Sequence, residues 1–357
     1  MINRKSIFLA LLLSSFLIII TACGETTDTT TSQEEESQLP ETTEDVTTIY
    51  TTIYPIEYMV ERIGGEEVQV TSVYPPGVDA HSYEPTSKMM TNIAEANAFI
   101  YLGGNLEAIA ETAADALNGE EVKLIELGTN EHLFSEIEID HEDVEEEHND
   151  QSHEEEHDHE TDVHDHETDE HGNEIDEHDG HDHGDHDPHI WLDPIRAIDM
   201  AHIIKDELIE LVPDQAEIFE ENYATLESDL LKLDEQFTKT LRDKQQNKIL
   251  VSHAAYGYWE QRYGIEQISV NGLSSNSVPS QKDLINIIEQ AEQYDLQYMI
   301  FEQNVSETVS KRIQEEIGAT TLILHNLAVR TEDDIENNED FLTLMEHNIE
   351  TIDQATK

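Results

Sequence analysis

The chain has 357 residues, with 81 Asp and Glu against 18 Lys and Arg, for a formal net charge of −63. So acidic a chain repels nucleic acid and makes cations the obvious partner. Its one cysteine, Cys23, excludes an internal disulfide, a Cys-x-x-Cys site and a four-cysteine zinc cluster.

Arg4 and Lys5 precede an uncharged run from Ile7 to Ile20, long enough for the core of a signal peptide and too short to span a bilayer comfortably. The run ends in Ile20-Thr21-Ala22-Cys23-Gly24, which resembles the lipobox of bacterial lipoproteins. Residues 1–22 are therefore expected to be a signal peptide and Cys23 the acylated residue that anchors the chain to the extracytoplasmic face of the cell membrane. Residues 23–46 are rich in Thr, Glu, Ser and Gln, with no Lys or Arg between Lys5 and Arg62, and read as a disordered tether. The remaining length is natural for two lobes.

From Val46 the pattern alternates strand and helix. Strands are expected over Val46 to Ile53, Val68 to Tyr74, Phe99 to Leu102 and Val122 to Ile125, with helices over Pro55 to Ile63, Ser87 to Ala96 and Asn105 to Leu117. Such alternation indicates an α/β lobe with a mainly parallel sheet flanked by helices. This first lobe is expected over residues 47–212 and is interrupted at 140–187, where 24 acids and 12 histidines fill 36 of 48 positions with no Lys or Arg. No core can form there, so the stretch reads as a disordered insertion. It carries His141, His148, His153, His157, His159, His164, His166, His171, His178, His181, His183 and His186.

Order is expected to resume at Pro188, with Asp193-Pro194 starting a helix to about Leu211. A linking helix within 213–245 carries Ile218, Phe219, Tyr223, Leu226, Leu230, Leu233 and Phe237 as one apolar stripe, and at 1.5 Å per residue it is long enough to cross the back of both lobes. The second lobe, 246–357, repeats the alternation: strands over Lys248 to Ser252, Ile265 to Val270, Tyr298 to Phe301 and Thr320 to Leu324. Its helices are expected over Ala254 to Tyr263, Ser280 to Tyr294, Ser306 to Ile317 and, to close the chain, Asp333 to Ile352.

Four residues fall where strands end or helices begin, the places where open α/β sheets bind ligands. His81 follows the turn after the second strand, His189 precedes the Pro194 helix, His253 follows Lys248 to Ser252, and Glu302 follows Tyr298 to Phe301. Three imidazoles and one carboxylate make a tetrahedral set suited to Zn²⁺. Each histidine alone reads more readily as an ordinary core or surface residue; the shared placement singles them out.

The segments Tyr74-Pro75-Pro76-Gly77-Val78-Asp79-Ala80-His81, Asp187-Pro188-His189-Ile190-Trp191-Leu192-Asp193-Pro194, Val251-Ser252-His253-Ala254-Ala255-Tyr256 and Phe301-Glu302-Gln303-Asn304 resemble, in this order, the zinc- and manganese-specific solute-binding lipoproteins of ABC importers, cluster A-I, of the ZnuA and AdcA types. The resemblance covers about residues 46 to 355. It implies two lobes joined by one long rigid helix, a metal site in the cleft between them, and delivery of the metal to a membrane permease; the chain is expected to be a monomer. It places the metal ligands on His81, His189, His253 and Glu302. Histidine at 253 favours zinc, since manganese members tend to carry carboxylates at the third and fourth positions.

His186 offers an alternative to His189, but Trp191-Leu192-Asp193-Pro194 can fix the orientation of His189 while His186 belongs to the acidic run. That run admits three readings: a zinc collector with weak, exchanging sites, a metal-level sensor, or a solvated acidic loop. Its twelve histidines favour the collector. The competing functions are a manganese-specific homologue, a surface adhesin or metal buffer, and a zinc hydrolase. The hydrolase lacks support, since the one His-Glu-x-x-His string, His153 to His157, lies in the acidic run where no helix is expected to present it, and Glu302 is spoken for; no enzymatic activity is expected.

Overall fold

A computed structural model describes residues 46–103, 107–135, 186–273, 279–303 and 308–357. The expected signal peptide, Cys23, nearly all of the tether and the histidines from His141 to His183 lie outside these residues. Two four-stranded sheets, each parallel throughout, organise the fold.

The first sheet contains β1 (Thr47–Thr51), β2 (Val68–Ser72), β3 (Ala98–Tyr101) and β4 (Lys123–Glu126) in the order β2-β1-β3-β4. β3, Ala98-Phe99-Ile100-Tyr101, is buried along its whole length, as expected of a central parallel strand covered on both faces. The crossovers are α1 (Tyr54–Gly64), α2 (Ser87–Ala94) and α3 (Ala108–Leu117). Pro55 starts α1, where its missing N–H costs nothing, and Thr86 caps α2 by accepting from the N–H of Met89.

The second sheet repeats the plan with β5 (Lys248–Val251), β6 (Glu266–Ser269), β7 (Tyr298–Glu302) and β8 (Thr320–Leu324) in the order β6-β5-β7-β8. Its helices are α6 (Gly257–Tyr263), α7 (Gln281–Gln293), α8 (Thr308–Ile317), α9 (Glu332–Glu336) and α10 (Phe341–Ala355). In each sheet the strand order reverses between the first and third strands of the set, so the ends of β5 and β7 flank a topological switch point.

Between the sheets run α4 (Pro194–Leu211) and α5 (Ala216–Leu241). α5 has 26 residues, about 39 Å at 1.5 Å per residue, and packs on α1, α4 and α10, so it touches helices of both halves. Phe219, Leu226, Leu230, Leu233 and Phe237 are buried as a stripe spaced by three and four, whereas Ile218 is 42% exposed. Ile218 lies one residue off that spacing and so points about 100° away from the buried face.

The closing segment is two helices where one is expected. Asn338 takes a left-handed φ of 58°, which ends α9, and Asp340 starts α10 with a capping box to Thr343. One hydrophobic cluster extends from the first sheet through α4 and α5 to α6 and α10, while a smaller one, including Leu250, Ile287, Met299, Phe301 and Ile313, lies on the other face of the second sheet. No helix among the described residues is long and apolar enough to cross a membrane.

Candidate metal centre

His81 is delivered by the loop after β2. Gly77 adopts φ 77°, open to glycine without strain, and its N–H donates to the carbonyl of Arg330, tying the loop to the second half of the chain. Asp79 then caps the turn, its carboxylate accepting from His81 N–H at 2.9 Å and its carbonyl from the N–H groups of Ser82 and Tyr83. Tyr74 and Tyr83 close the base of the loop edge to face at 5.4 Å.

His189 precedes a short 3₁₀ turn, Ile190–Leu192, and the N-cap Asp193 of α4, whose side chain accepts from Ile195 N–H at 2.9 Å. His253 stands two residues past β5, and Glu302 is the last residue of β7. His189, His253 and Glu302 are 1%, 1% and 4% exposed; His81 is half-buried.

These elements bring the four predicted residues together. The imidazole centroids are 5.9 Å apart for His81 and His189, 5.4 Å for His81 and His253, and 4.9 Å for His189 and His253. One ring nitrogen from each of the three lies within 4.8 Å of the others, a group able to hold a metal ion. Glu302 Oε1 is 2.6 Å from His253 Nδ1, and His81, His189 and Glu302 line a cavity of about 20 Å³, room for a single ion or water. His186 is not in this group: it is exposed and stacks on Phe134 at 5.5 Å.

The electrostatics suit a cation. Burial lowers the His81 pKa to about 4, with the neighbouring His189 and His253 pushing the same way, so His81 is neutral at pH 7 and its lone pair is available. Burial acts to raise the Glu302 carboxyl, but the hydrogen bond and charge of His253, the charge of His189 and the amide of Asn326 outweigh it and hold the carboxyl below its ordinary range.

His189 is aimed from outside the Trp191-Leu192-Asp193-Pro194 segment expected to orient it. Trp191 packs near the ring at 5.4 Å, but Asp187 aims it: Oδ1 lies 2.7 Å from His189 Nδ1 and accepts from His189 N–H at 3.0 Å. A carboxylate on Nδ1 keeps the proton there and leaves Nε2 for a metal. Asp187 is steadied in turn by Tyr258, whose hydroxyl donates to its carbonyl at 2.5 Å. His253 Nε2 lies 2.8 Å from the carbonyl of Leu273, so an ion reaching this ring displaces a hydrogen bond at one of its nitrogens. The Asp-Pro-His spacing is a sequence signal for Asp187; Leu273 and Asn326 leave none.

Residues 49–355 match the family model described as ZnuA, zinc-uptake complex component A, periplasmic. The chain belongs to that family. Among its relatives, the zinc-binding protein AdcA of Streptococcus pyogenes serotype M3 is 31% identical over 313 residues, which are 88% of this chain and 56% of that protein. The chain thus spans a little over half the length of this relative. The high-affinity zinc uptake system protein ZnuA of Bacillus subtilis is 25% identical, over 86% of this chain and 87% of its own. In three dimensions the Zn(II)-bound ZnuA-like domain of Streptococcus pneumoniae AdcA superposes with a TM-score of 0.63 at 26% identity, covering 87% of this chain and 98% of that one. The ZnuA-family fold and the predicted fold class, two parallel-sheet α/β lobes with a long helix, agree.

Proposed function

We propose that this ZnuA-family chain captures one Zn²⁺ ion in the cleft between its lobes, 47–212 and 246–357, and hands it unchanged to an ABC-type permease, the linking segment 213–245 serving as a stiff spine. The observation that carries this reading is the convergence of three imidazole nitrogens within 4.8 Å, with the Glu302 carboxylate against His253. Three neutral nitrogen donors and one anionic oxygen match the borderline character and four-coordinate preference of zinc. With all four positions used by protein, no place is left for the activated water of a hydrolase, so the role is binding. Family membership and the lipobox-like Ile20–Cys23 stretch support work outside the membrane, as a monomer anchored through acylated Cys23. The run 140–187 serves as a weaker collector of the same ion.

Titrating the purified metal-free chain with zinc is expected to give one tight site and several weak ones. Deleting residues 140–186 should remove only the weak class. If His81→Ala and His253→Ala left the tight site intact while the deletion abolished it, the cleft assignment would be wrong.

A further inference from the structure

The two oxygens of Glu302 have different surroundings. Oε1 lies 2.6 Å from His253 Nδ1, inside the imidazole group, whereas Oε2 accepts a 2.7 Å hydrogen bond from Asn326 Nδ2. The direction of that amide is fixed by its other end. Asn326 Oδ1 accepts from the backbone N–H of Ala328 at 3.1 Å, a donor with no reversed form, and from Gln303 Nε2 at 3.0 Å. The nitrogen is therefore the end that meets Glu302. The backbone of Asn326 is pinned as well: its N–H donates to Gln303 Oε1 at 3.1 Å and its carbonyl accepts from the indole of buried Trp191 at 2.8 Å.

We propose that Asn326 is a specificity-determining residue, which occupies Glu302 Oε2 and so limits this carboxylate to one coordinating oxygen, fixing a four-coordinate centre of three nitrogens and one oxygen. The inference rests on the ligand set proposed above. A carboxylate that turned both oxygens to the ion would raise its coordination to five. Zinc is satisfied by four ligands, whereas manganese takes a larger, oxygen-rich shell. Turning Oε2 inward breaks a hydrogen bond to a charged group and strands the Asn326 N–H beside a buried carboxylate, a cost above that of the bond alone. Asn326 thus selects against an ion that it does not touch.

The test uses the full chain with Co²⁺ as a spectroscopic probe at one equivalent, together with competition between zinc and manganese for the tight site. The wild type is expected to give the intense visible bands of four-coordinate cobalt. Asn326→Ala is expected to weaken these bands as a fifth ligand enters, and to lower the zinc-over-manganese preference about tenfold, the scale of one hydrogen bond to a charged group. A folded Asn326→Ala protein with unchanged bands and unchanged preference would overturn the proposal. Should that variant fail to fold, Asn326→Asp keeps the acceptor for Ala328 and Gln303 while removing the donor; it is expected to move the preference toward manganese, and an unmoved preference overturns the proposal equally. Glu302→Ala separates the two levels. If it leaves tight zinc binding unchanged, the ligand set itself is wrong; if it weakens zinc while Asn326→Ala changes nothing, only the role of Asn326 fails.

Discussion

The four residues of the centre are held in two different ways. His189, His253 and Glu302 are buried, and each side chain has a protein partner that holds it: Asp187 for His189, the Leu273 carbonyl for His253, and Asn326 for Glu302. The His81 ring makes no hydrogen bond among the described residues; it faces the other two imidazoles, and only its backbone is held, by Asp79. Three of the proposed ligands are thus set by their own hydrogen bonds and stand in place before an ion arrives. The fourth is placed by the loop that carries it, so its position depends on how that loop seats against Arg330. Preorganisation of the three leaves the ordering cost of capture to fall mainly on the fourth.

The largest effect that tests this contrast comes from removing one residue of each kind. A four-ligand structural zinc site supplies roughly 10–16 kcal/mol, so one ligand accounts for about a quarter of that, or roughly a hundred- to a thousandfold in affinity. His253→Ala and His81→Ala are both expected to lose tight zinc by that factor in a competition titration. Their metal-free forms should differ. His253→Ala leaves Glu302 and the Leu273 carbonyl short of a buried partner, for a loss of about 1–3 kcal/mol in urea unfolding, whereas His81→Ala should stay within about 0.5 kcal/mol of wild type. Equal destabilisation by the two would erase the distinction between held and unheld ligands.

A smaller effect sharpens the same point from the second layer. Asp187→Asn keeps the size of the side chain but can present an N–H to His189 Nδ1, which favours the tautomer with its proton on Nε2, the wrong nitrogen for a metal. Zinc affinity is expected to drop about ten- to hundredfold, as for other outer partners of metal-bound histidines, with the metal-free fold unchanged. An unaffected affinity would show that Trp191 alone orients the ring.

The framework of the molecule was legible because its signals are local. The all-apolar β3, the Pro55 start of α1 and the three-and-four spacing from Phe219 to Phe237 each specify an element from a few neighbours in sequence. The four residues that converge were legible at one remove, through their shared position at strand ends. What escaped depends on atoms far apart in the chain or on one dihedral angle. Asn326 reaches Glu302 from a loop 24 residues further on, and the Leu273 carbonyl is a backbone group with no residue identity to read. The break between α9 and α10 turns on the left-handed Asn338, a conformation that asparagine tolerates but does not announce. Asp187 sits in plain view beside His189, yet its last position in an acidic run of 24 carboxylates disguised its separate role.

An effect confined to mildly acidic pH follows from the burial of His81 among like groups. In the folded chain its pKa is lowered from 6.5 to about 4, by burial first and then by His189 and His253, while the unfolded chain titrates near the ordinary value. Between these two values the unfolded state binds more protons at this residue, so stability of the metal-free protein rises with pH across that window and is no longer affected by His81 above it. Glu302 runs the same way, but its lowered carboxyl places its contribution at and below its ordinary value, at the acid end of the window of His81. Urea midpoints of wild type and His81→Ala, taken at several values between about pH 4.5 and 7.5, should therefore converge at the upper end and spread apart toward the lower, with the wild type losing more. Parallel profiles would mean that the loop releases His81 to water before it protonates, and that the fourth ligand is looser than its half-buried position indicates.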